Sequence, residues 1–509
     1  VFPAFYLFLI EPERYIRSTM NAFINLVAYP IAYTVTYSSL WICLLTVVIT
    51  LLWYPHVRSK FSSPTKHMGI LVVGLILWTL MIVIFVQVYL TIFAPGILHQ
   101  MSYFLFTFAL GMAGVRIIAT LSTAAAHKKL ELEQSVNLPF QGDHLVTVIV
   151  PAYNEEKVIG KTVEAILNLS YPNKELIVVD DGSTDKTLEA LRRYDKCGTL
   201  RVITKSNGGK WSALNMGIKA ARGEYIICVD ADTLLDPDAI QHLIKHLKNP
   251  KVGAVAGNVK VGNRRGIITK LQALEYIIGI NVYRRSEAFF QKVTIVPGAV
   301  GAFRASALKE VGLYDGDTFA EDADTTFKIL KAGYEVVYEP KAIGYTEAPN
   351  NMTDLAKQRY RWYRGLLQCL SKHKDMIFNG ERGSTGPLVM SWAVFNGIVY
   401  PWFMFFALMW LLVPCFNPFS VGKQPLALNG MSNFTIGIDF LKAISPAYAL
   451  WFLIFFVLEV LIAAYAISID GKEKPYSHLV LYVMIDRLFY MYIIDVLRIL
   501  NQLEQALHY

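Results

Sequence analysis

Hydrophobic and polar positions along this 509-residue chain fall into three regimes. The first is apolar. Ile31 to Trp53 and Met68 to Phe93 are each long enough to cross about 30 Å of hydrocarbon as a helix. Met101 to about Ala124 is a third such run, interrupted by Arg116, and Ala22 to Ala32, broken by Pro30, extends the first helix or lies along the interface. From Val146 the pattern changes to short β-rich runs alternating with helical periodicity. Val146 to Val150, Leu176 to Val179, Leu200 to Ile203, Tyr225 to Val229 and Val252 to Ala256 read as buried strands. Glu156 to Leu167, Lys186 to Tyr194, Lys210 to Ala221 and Pro237 to Lys248 read as crossover helices. The alternation predicts a mostly parallel, doubly wound sheet whose ligand crevice lies at the carboxyl ends of the strands. The third regime is apolar again: Leu388 to Val413, Ala447 to Ile469 and His478 to Leu500. The last contains Asp486, Arg487, Asp495 and Arg498, which must face a protein-lined interior or the interface.

The expected fold class is therefore an α-helical membrane protein with an inserted cytoplasmic α/β domain. Residues 1–125 hold two to three spans, 145–350 the α/β domain, 351–385 interfacial helices and 386–509 about three spans. Composition agrees, since 54% hydrophobic and 17% charged residues with a mean hydropathy of +0.38 exclude an ordinary soluble protein. Orientation follows from short connections. Arg58, Lys60 and Lys66 separate the first two spans while Ala94 to Gln100 has no Lys or Arg, so the former loop is cytoplasmic and the third span returns the chain inside, beside Lys128 and Lys129. Pro414 to Ser445, with the sequon Asn433-Phe434-Thr435, is then external, and Asp470 to Tyr476 internal. Val1 to Ile10 lacks a basic lead and a small-residue cleavage site, so no signal peptide is expected. The net charge of +8 suits a bilayer surface and an anionic substrate, and the lack of a Lys/Arg run argues against nucleic acid. Cys43, Cys197, Cys228, Cys369 and Cys415 lack CxxC spacing, which predicts neither a zinc site nor a disulfide framework.

Four polar motifs carry the candidate chemistry. Asp230-Ala231-Asp232 ends a strand, and alternate residues of an extended chain point the same way, so both carboxylates can meet one divalent cation. A surface turn is the competing explanation. Mg²⁺ or Mn²⁺ is the expected ion, because hard oxygen ligands and phosphate are its usual shell. Asp180-Asp181-Gly182-Ser183-Thr184-Asp185 reads both as a turn with a helix N-cap at Thr184 or Asp185 and as a nucleotide-base site. Asn207-Gly208-Gly209-Lys210 opens a helix with flexible backbone and a cation. Glu321-Asp322 lies in the acidic loop Asp315 to Asp324, where crowding raises the pKa of at least one carboxyl and suits a general base. A solvated acidic loop, or a cap for a helix from Thr325 to Lys331, explains it equally well. Gln358, Arg361 and Trp362 share one helical face and can grip a diphosphate and stack on a sugar ring. Lys357, Arg359, Arg361, Arg364 and Lys372 on the same helix would otherwise meet headgroups.

In this order and spacing the motifs resemble the membrane-embedded processive glycosyltransferases of family 2, the cellulose, chitin, hyaluronan and poly-N-acetylglucosamine synthases. The resemblance spans residues 145–375, and Gln-x-x-Arg-Trp is its most specific element. Val252-Gly-Ala-Val-Ala-Gly-Asn-Val259, Leu271-Gln272-x-x-Glu275-Tyr276, Pro297-Gly298-Ala299 and Phe303-Arg304 look most like the branch that polymerises N-acetylglucosamine. Two features depart from the pattern: three candidate spans precede the domain instead of two, and Ala320 stands where Thr often precedes Glu-Asp. The resemblance implies a GT-A fold, a UDP-sugar donor, a growing glycan acceptor and a multi-pass plasma-membrane location. It implies that Asp181, with Ala152, Tyr153 and Glu155, holds uridine, that Lys210 assists, and that Asp230 and Asp232 engage the metal diphosphate. It further implies Asp322 as the base, Glu321, Gln358 and Trp362 at the acceptor, and Arg361 on the diphosphate. A single-transfer enzyme acting on a membrane lipid is the alternative, and a scaffold or transporter is a third reading that leaves the four motifs without a purpose.

Overall fold

The computed structural model describes residues 114, 117–131, 144–195, 200–377, 379, 390–402 and 446–507. The chain divides into two units, one of residues 1–119 with 403–455 and one of 120–402 with 456–509. Of the first unit only 114, 117–119 and 446–455 are described, so the two leading spans, most of the third and half of the fourth lie outside the described residues.

In the second unit the elements are α1 (117–131), β1 (Val146–Ala152), α2 (Ile159–Leu167), β2 (Lys174–Asp180), α3 (Thr187–Asp195), β3 (Arg201–Thr204), α4 (Lys210–Ala220), β4 (Tyr225–Cys228), β5 (Leu234–Leu235) and α5 (Ala239–Leu247). There follow β6 (Val252–Val261), α6 (Ile267–Ile278), α7 (Arg285–Phe289), β7 (Gly301–Arg304), α8 (Ala305–Glu310), α9 (Glu321–Lys331), β8 (Glu335–Thr346), α10 (Met352–Lys372), α11 (Pro446–Ser468) and α12 (Met491–Leu507). Strands β1 and β6 are almost wholly buried because helices cover both faces of the sheet, and such strands read as continuous apolar runs. Their Val and Ile side chains also suit a pleated surface. In α5 the buried residues Ala239, Ile240, Leu243, Ile244 and Leu247 recur at helical spacing, which gives one apolar face against the sheet.

Eight strands form one sheet in the order β3-β2-β1-β4-β7-β6-β8-β5. The expectation of a mostly parallel sheet holds for β3, β2, β1 and β4. Beyond β4 the sheet is mixed: β7 is inserted antiparallel to both β4 and β6 and β5 runs antiparallel to β8, while β6 and β8 pair in parallel. The physical reason the pattern missed the antiparallel strands is length: β7 is four residues and β5 two, too short to show a period in the sequence. The inserted strand matters for the site. Being antiparallel, β7 pairs its first residue, Gly301, with Cys228 at the end of β4, so residues 297–300 are delivered beside the loop that follows β4. Gly257 of β6 lets this layer close, since a Cβ there would meet Val300 Cγ1 at 2.3 Å.

Among the described residues no helix is long and apolar enough to cross a membrane. Helix α11 has 23 residues, but its side chains are described only from Phe456 onward. The expected span from His478 to Leu500 is not one regular helix: a 3-10 segment Lys474–Tyr482 and a π segment Asp486–Tyr490 precede α12. Its charges do face protein. Asp486 is buried, Arg487 pairs with Glu459 of α11 at 3.1 Å, and Arg498 pairs with Asp495 at 3.0 Å. The connection after α11 clamps the end of β6, with Lys260 Nζ 2.5 Å from Asp470 and 2.8 Å from Glu473, and Arg264 bound to Glu473 at 2.6 Å.

One buried charge links stability to pH. Glu339 of β8 bonds His246 at 2.6 Å and Lys245 at 2.5 Å, both from α5. Burial pushes its carboxyl up, but the contacts with His246 and Lys245 prevail and hold it down at about 2. A carboxyl depressed on folding contributes stability above its unfolded pKa and loses it as pH falls through the folded value. The Glu339 cluster is therefore expected to contribute on the order of 3 kcal/mol at neutral pH, lost between about pH 4.5 and 2. Glu339→Gln should lower the apparent melting temperature at pH 7 and flatten its fall below pH 4.5; an unchanged acid limb would refute the linkage.

Candidate active site

The loops after β1, β2 and β4 and the loop before β7 converge at one edge of the sheet. The first two are stitched together. Asn154, in the left-handed region at φ 57, accepts the Thr184 N–H at 2.8 Å through Oδ1, and its own N–H donates to Ser183 Oγ at 3.0 Å. The Glu155 N–H donates to Thr187 Oγ1 at 2.8 Å, and Asp185 caps α3 by accepting the Thr187 N–H at 3.0 Å. Both Asp180 and Asp181 are buried. Asp181 accepts the Gly208 and Gly209 N–H groups at 3.1 and 2.8 Å and the Lys205 ammonium at 2.5 Å. Its carboxylate thus fixes the glycine turn that opens α4. Lys205, which sequence reasoning missed, sits in no motif and left no signal.

Lys210 is the centre of the site. Its Nζ lies 2.7 Å from Asp230 Oδ1, 3.4 Å from Glu321 Oε1 and 3.8 Å from Asp322 Oδ2. Burial opposes the ammonium charge, but these carboxylates outweigh it and hold the Lys210 pKa well above its ordinary value. Asp322 Oδ2 also accepts the Gly298 N–H at 2.9 Å, while Oδ1 is buried and accepts no hydrogen bond. Gly298 must be glycine for this approach: a Cβ would lie 2.5 Å from Lys210 Nζ and 2.8 Å from Asp322 Oδ2. Sequence reading noted the Pro297-Gly298-Ala299 run without placing it in the site.

The expected reason for a raised Asp322 pKa needs correction. Crowding in the 315–324 loop is not the main cause. Burial raises the Asp322 carboxyl, Lys210 pulls it down, and Glu321 and Asp230 push it up again. Asp315 and Asp324 go the opposite way: Lys372 binds them at 2.8 and 3.0 Å and also reaches Asp317 at 2.9 Å, and His373 binds Asp324 at 2.7 Å. Asp315 and Asp324 are held below the usual range despite their burial. With Asp317 they form a group of three acids close enough to share an ion, and the Lys372 ammonium sits among them. The helix also starts earlier than expected, at Glu321, so Glu321 and Asp322 occupy its first turn, where negative charge is favoured.

Asp230-Ala231-Asp232 is a turn closed by the Thr233 N–H on the Asp230 carbonyl at 3.0 Å, not the extended segment expected. The two carboxylates remain neighbours. Asp232 is raised by burial and then by Asp230, and Glu155 is pushed up to about 7 by burial and then by Asp232, Asp185 and Asp230. Asp230 and Asp232 offer the hard oxygen donors that suit Mg²⁺ or Mn²⁺, although among the described residues the one group of three acids with ligand atoms within 4.8 Å of one another is Asp315, Asp317 and Asp324.

The remaining predicted residues lie on α10 or the rim. Ala152 is buried at the end of β1, and Tyr153 is exposed. Gln358 and Trp362 are half-buried and Arg361 is exposed. Arg359 and Lys372 do not meet headgroups as expected: Arg359 is buried on Glu275 at 2.6 Å, and Lys372 serves the acidic loop. Tyr276, 6.3 Å from the Trp362 ring, ties this group to the acids after β4. Burial pushes the Tyr276 hydroxyl up to about 12; Arg359 lowers it, and Glu275, Asp232 and Asp230 add to the rise.

Residues 147–312 match the family model described as glycosyl transferase family 2. Over this stretch the chain is similar to the family 2 glycosyltransferases. The chain is 38% identical over 227 residues to a poly-beta-1,6-N-acetyl-D-glucosamine synthase of Staphylococcus epidermidis, a match covering 44% of this chain and 55% of that protein. The synthase of the same name from Staphylococcus aureus strain COL is 37% identical over the same length. The chain thus spans about half the length of the curated relatives it matches. Among solved structures, the mannosyltransferase PcManGT from Pyrobaculum calidifontis in complex with GDP-Man and Mn²⁺ aligns at a TM-score of 0.49 and 22% identity, over 75% of this chain and 98% of that one.

Helix α10 holds Glu321 and Asp322 through a close approach at Gly365. A Cβ there would lie 2.6 Å from the Ala320 nitrogen and 2.9 Å from the Phe319 carbonyl carbon, and Gln368 Oε1 accepts the Phe319 N–H at 2.9 Å. An alanine in a helix gains about 1 kcal/mol over glycine. Overpacking against backbone costs about 1–3 kcal/mol. Gly365→Ala is therefore expected to lower the melting temperature of the protein, whereas an increase would show that the loop yields freely.

Proposed function

We propose that this chain is an inverting glycosyltransferase that polymerises a β-linked glycan from a UDP-sugar, with UDP-N-acetylglucosamine as donor, and passes it through its own membrane helices. The carrying observation is the Asp322 carboxylate. One oxygen is fixed by the Gly298 N–H, and the other is buried, unpaired and adjacent to the Lys210–Asp230 ion pair. A base so held takes the proton of an acceptor hydroxyl as that oxygen attacks the anomeric carbon, the bond from that carbon to the diphosphate breaks, and UDP leaves. One in-line displacement converts an α-linked donor into a β-linkage. The family 2 match and the poly-beta-1,6-N-acetyl-D-glucosamine synthases similar to this chain support this donor and product.

Asp230 and Asp232, with Glu155 beside them, would hold Mg²⁺ or Mn²⁺, which when bound neutralises charge on the departing diphosphate. Lys210 would bind the same diphosphate, and its present carboxylate partners mark where that negative charge is accommodated. Asp181 and the Ala152–Glu155 turn line the uridine side, Arg361 the outer diphosphate, and Glu321, Gln358 and Trp362 the acceptor. The domain would lie in the cytoplasm at a multi-pass plasma-membrane location, and contact of the C-terminal segment with lipid is supported by an inverted distribution there. Leu481, Phe489 and Leu500 are 79%, 64% and 55% exposed, whereas Glu459 and Asp486 are buried. Apolar side chains outside and charges inside suit contact with lipid.

Asp322→Asn is expected to cut glycan formation by at least about a thousandfold, while UDP titration stays within twofold. Normal turnover would remove Asp322 from the role of base. Asp232→Ala should erase the difference between UDP affinity with and without Mn²⁺; a preserved difference would overturn the metal assignment.

A further inference from the structure

Arg359 is among the largest fully buried side chains of the described residues, 1% exposed. Its Nη2 donates to Glu275 Oε2 at 2.6 Å and to the Tyr490 hydroxyl at 3.1 Å. That hydroxyl donates in turn to Glu275 Oε2 at 2.7 Å, closing a three-membered network. The partners come from three elements far apart in sequence: α6, α10 and the π segment before α12. Around them Leu271, Leu355, Tyr490 and Ile494 form an apolar cluster of their own.

As a device for joining helices this is costly. A buried ion pair is often matched or bettered by apolar residues of similar volume, and here Arg359 Nε is left without a hydrogen bond. What a guanidinium does that a leucine cannot is present a flat cation to an aromatic face. Arg359 Cζ lies 4.4 Å from the Trp362 ring centroid, and the Tyr276 ring lies 6.3 Å away, tilted by 36°. Arg359 and Trp362 are at i and i+3 on α10, so the network fixes the guanidinium and the guanidinium fixes the indole. Gln358, at i−4 from Trp362, keeps its buried Oε1 free of any protein partner, an acceptor suited to a sugar hydroxyl.

We propose that Glu275, Arg359 and Tyr490 are positioning residues that hold the Trp362 indole for stacking on the acceptor sugar, so that the segment before α12 sets the geometry of the acceptor site. The proposal rests on the reading of the site as a polymerase. Misplacement of a positioned group by about 1 Å costs on the order of a hundredfold in rate, so loss of one network member should be visible without loss of the fold.

The test uses the full chain in nanodiscs with Glu275→Gln, Tyr490→Phe and Arg359→Lys, each made also in a Trp362→Phe background. With UDP-N-acetylglucosamine and Mn²⁺, the amount of sugar incorporated per UDP released should fall about tenfold or more in each variant, while UDP affinity stays within twofold. The emission of Trp362, taken as the difference between the paired backgrounds, should shift in all three. Unchanged incorporation or unchanged Trp362 emission in both Glu275→Gln and the near-isosteric Tyr490→Phe overturns the proposal. If the parent chain releases no UDP from this donor, the polymerase reading fails separately, and the proposed acceptor role for the network falls with it; the emission then reports only whether the network orients Trp362.

Discussion

A single ammonium group organises the centre of this protein. Lys210 Nζ lies within 4 Å of Asp230, Glu321 and Asp322, which belong to the turn after β4 and to the first turn of α9. Without the cation, three acids would share a partly desolvated volume, and protonation or separation would be the cheaper outcomes. With it, they are held together, and the arrangement is ready for an anionic ligand that brings its own compensating cation. The position of Lys210 depends in turn on Asp181, whose carboxylate ties down the Gly208 and Gly209 amides at the start of α4. One buried carboxylate thus positions the helix whose first residue positions three others.

Why the sheet is mixed follows from the same requirement. A purely parallel succession would place the residue after β4 at the crevice but would bring no second backbone donor there. Inserting β7 antiparallel turns its leading loop toward that edge, and the Gly298 N–H then fixes one oxygen of Asp322. The absent side chain at Gly298 is part of the geometry, because a Cβ would occupy the space of the ion pair.

What could be read from the chain and what could not divides along physical lines. The parallel half of the sheet was legible because β1, β2 and β4 are continuous apolar runs separated by helical periodicity. Asp230, Asp232 and Asp322 stood out as candidates by their place at a strand end and in a crowded acidic loop, but pattern alone left a surface turn or a solvated loop as an equal explanation. The antiparallel insertion was hidden, since a four-residue strand has no period. The partition of charges was hidden as well: nothing in Gln-Arg-Tyr-Arg-Trp distinguishes Arg359, which is buried, from Arg361, which is exposed. Nor does the acidic stretch from Asp315 to Asp324 disclose that Lys372 and His373, nearly fifty residues on, bind Asp315, Asp317 and Asp324. Those facts depend on tertiary partners, and pattern alone carries no information about them.

The two ends of α10 then acquire different jobs on one rigid element. Its C-terminal half carries Gly365, Gln368, Lys372 and His373, which grip the loop leading into Asp322. Its N-terminal half carries Gln358, Arg359 and Trp362, braced by Glu275 and Tyr490. A base and an acceptor platform referenced to one helix keep their separation when that helix shifts as a body, because 21 residues of α-helix bend far less than the loops around them. Under the proposed reading, in which the reaction repeats on a lengthening acceptor, this is the relevant constraint. The hydroxyl must return to the same place beside Asp322 after each transfer, and a platform hung from an independent loop would lose that register.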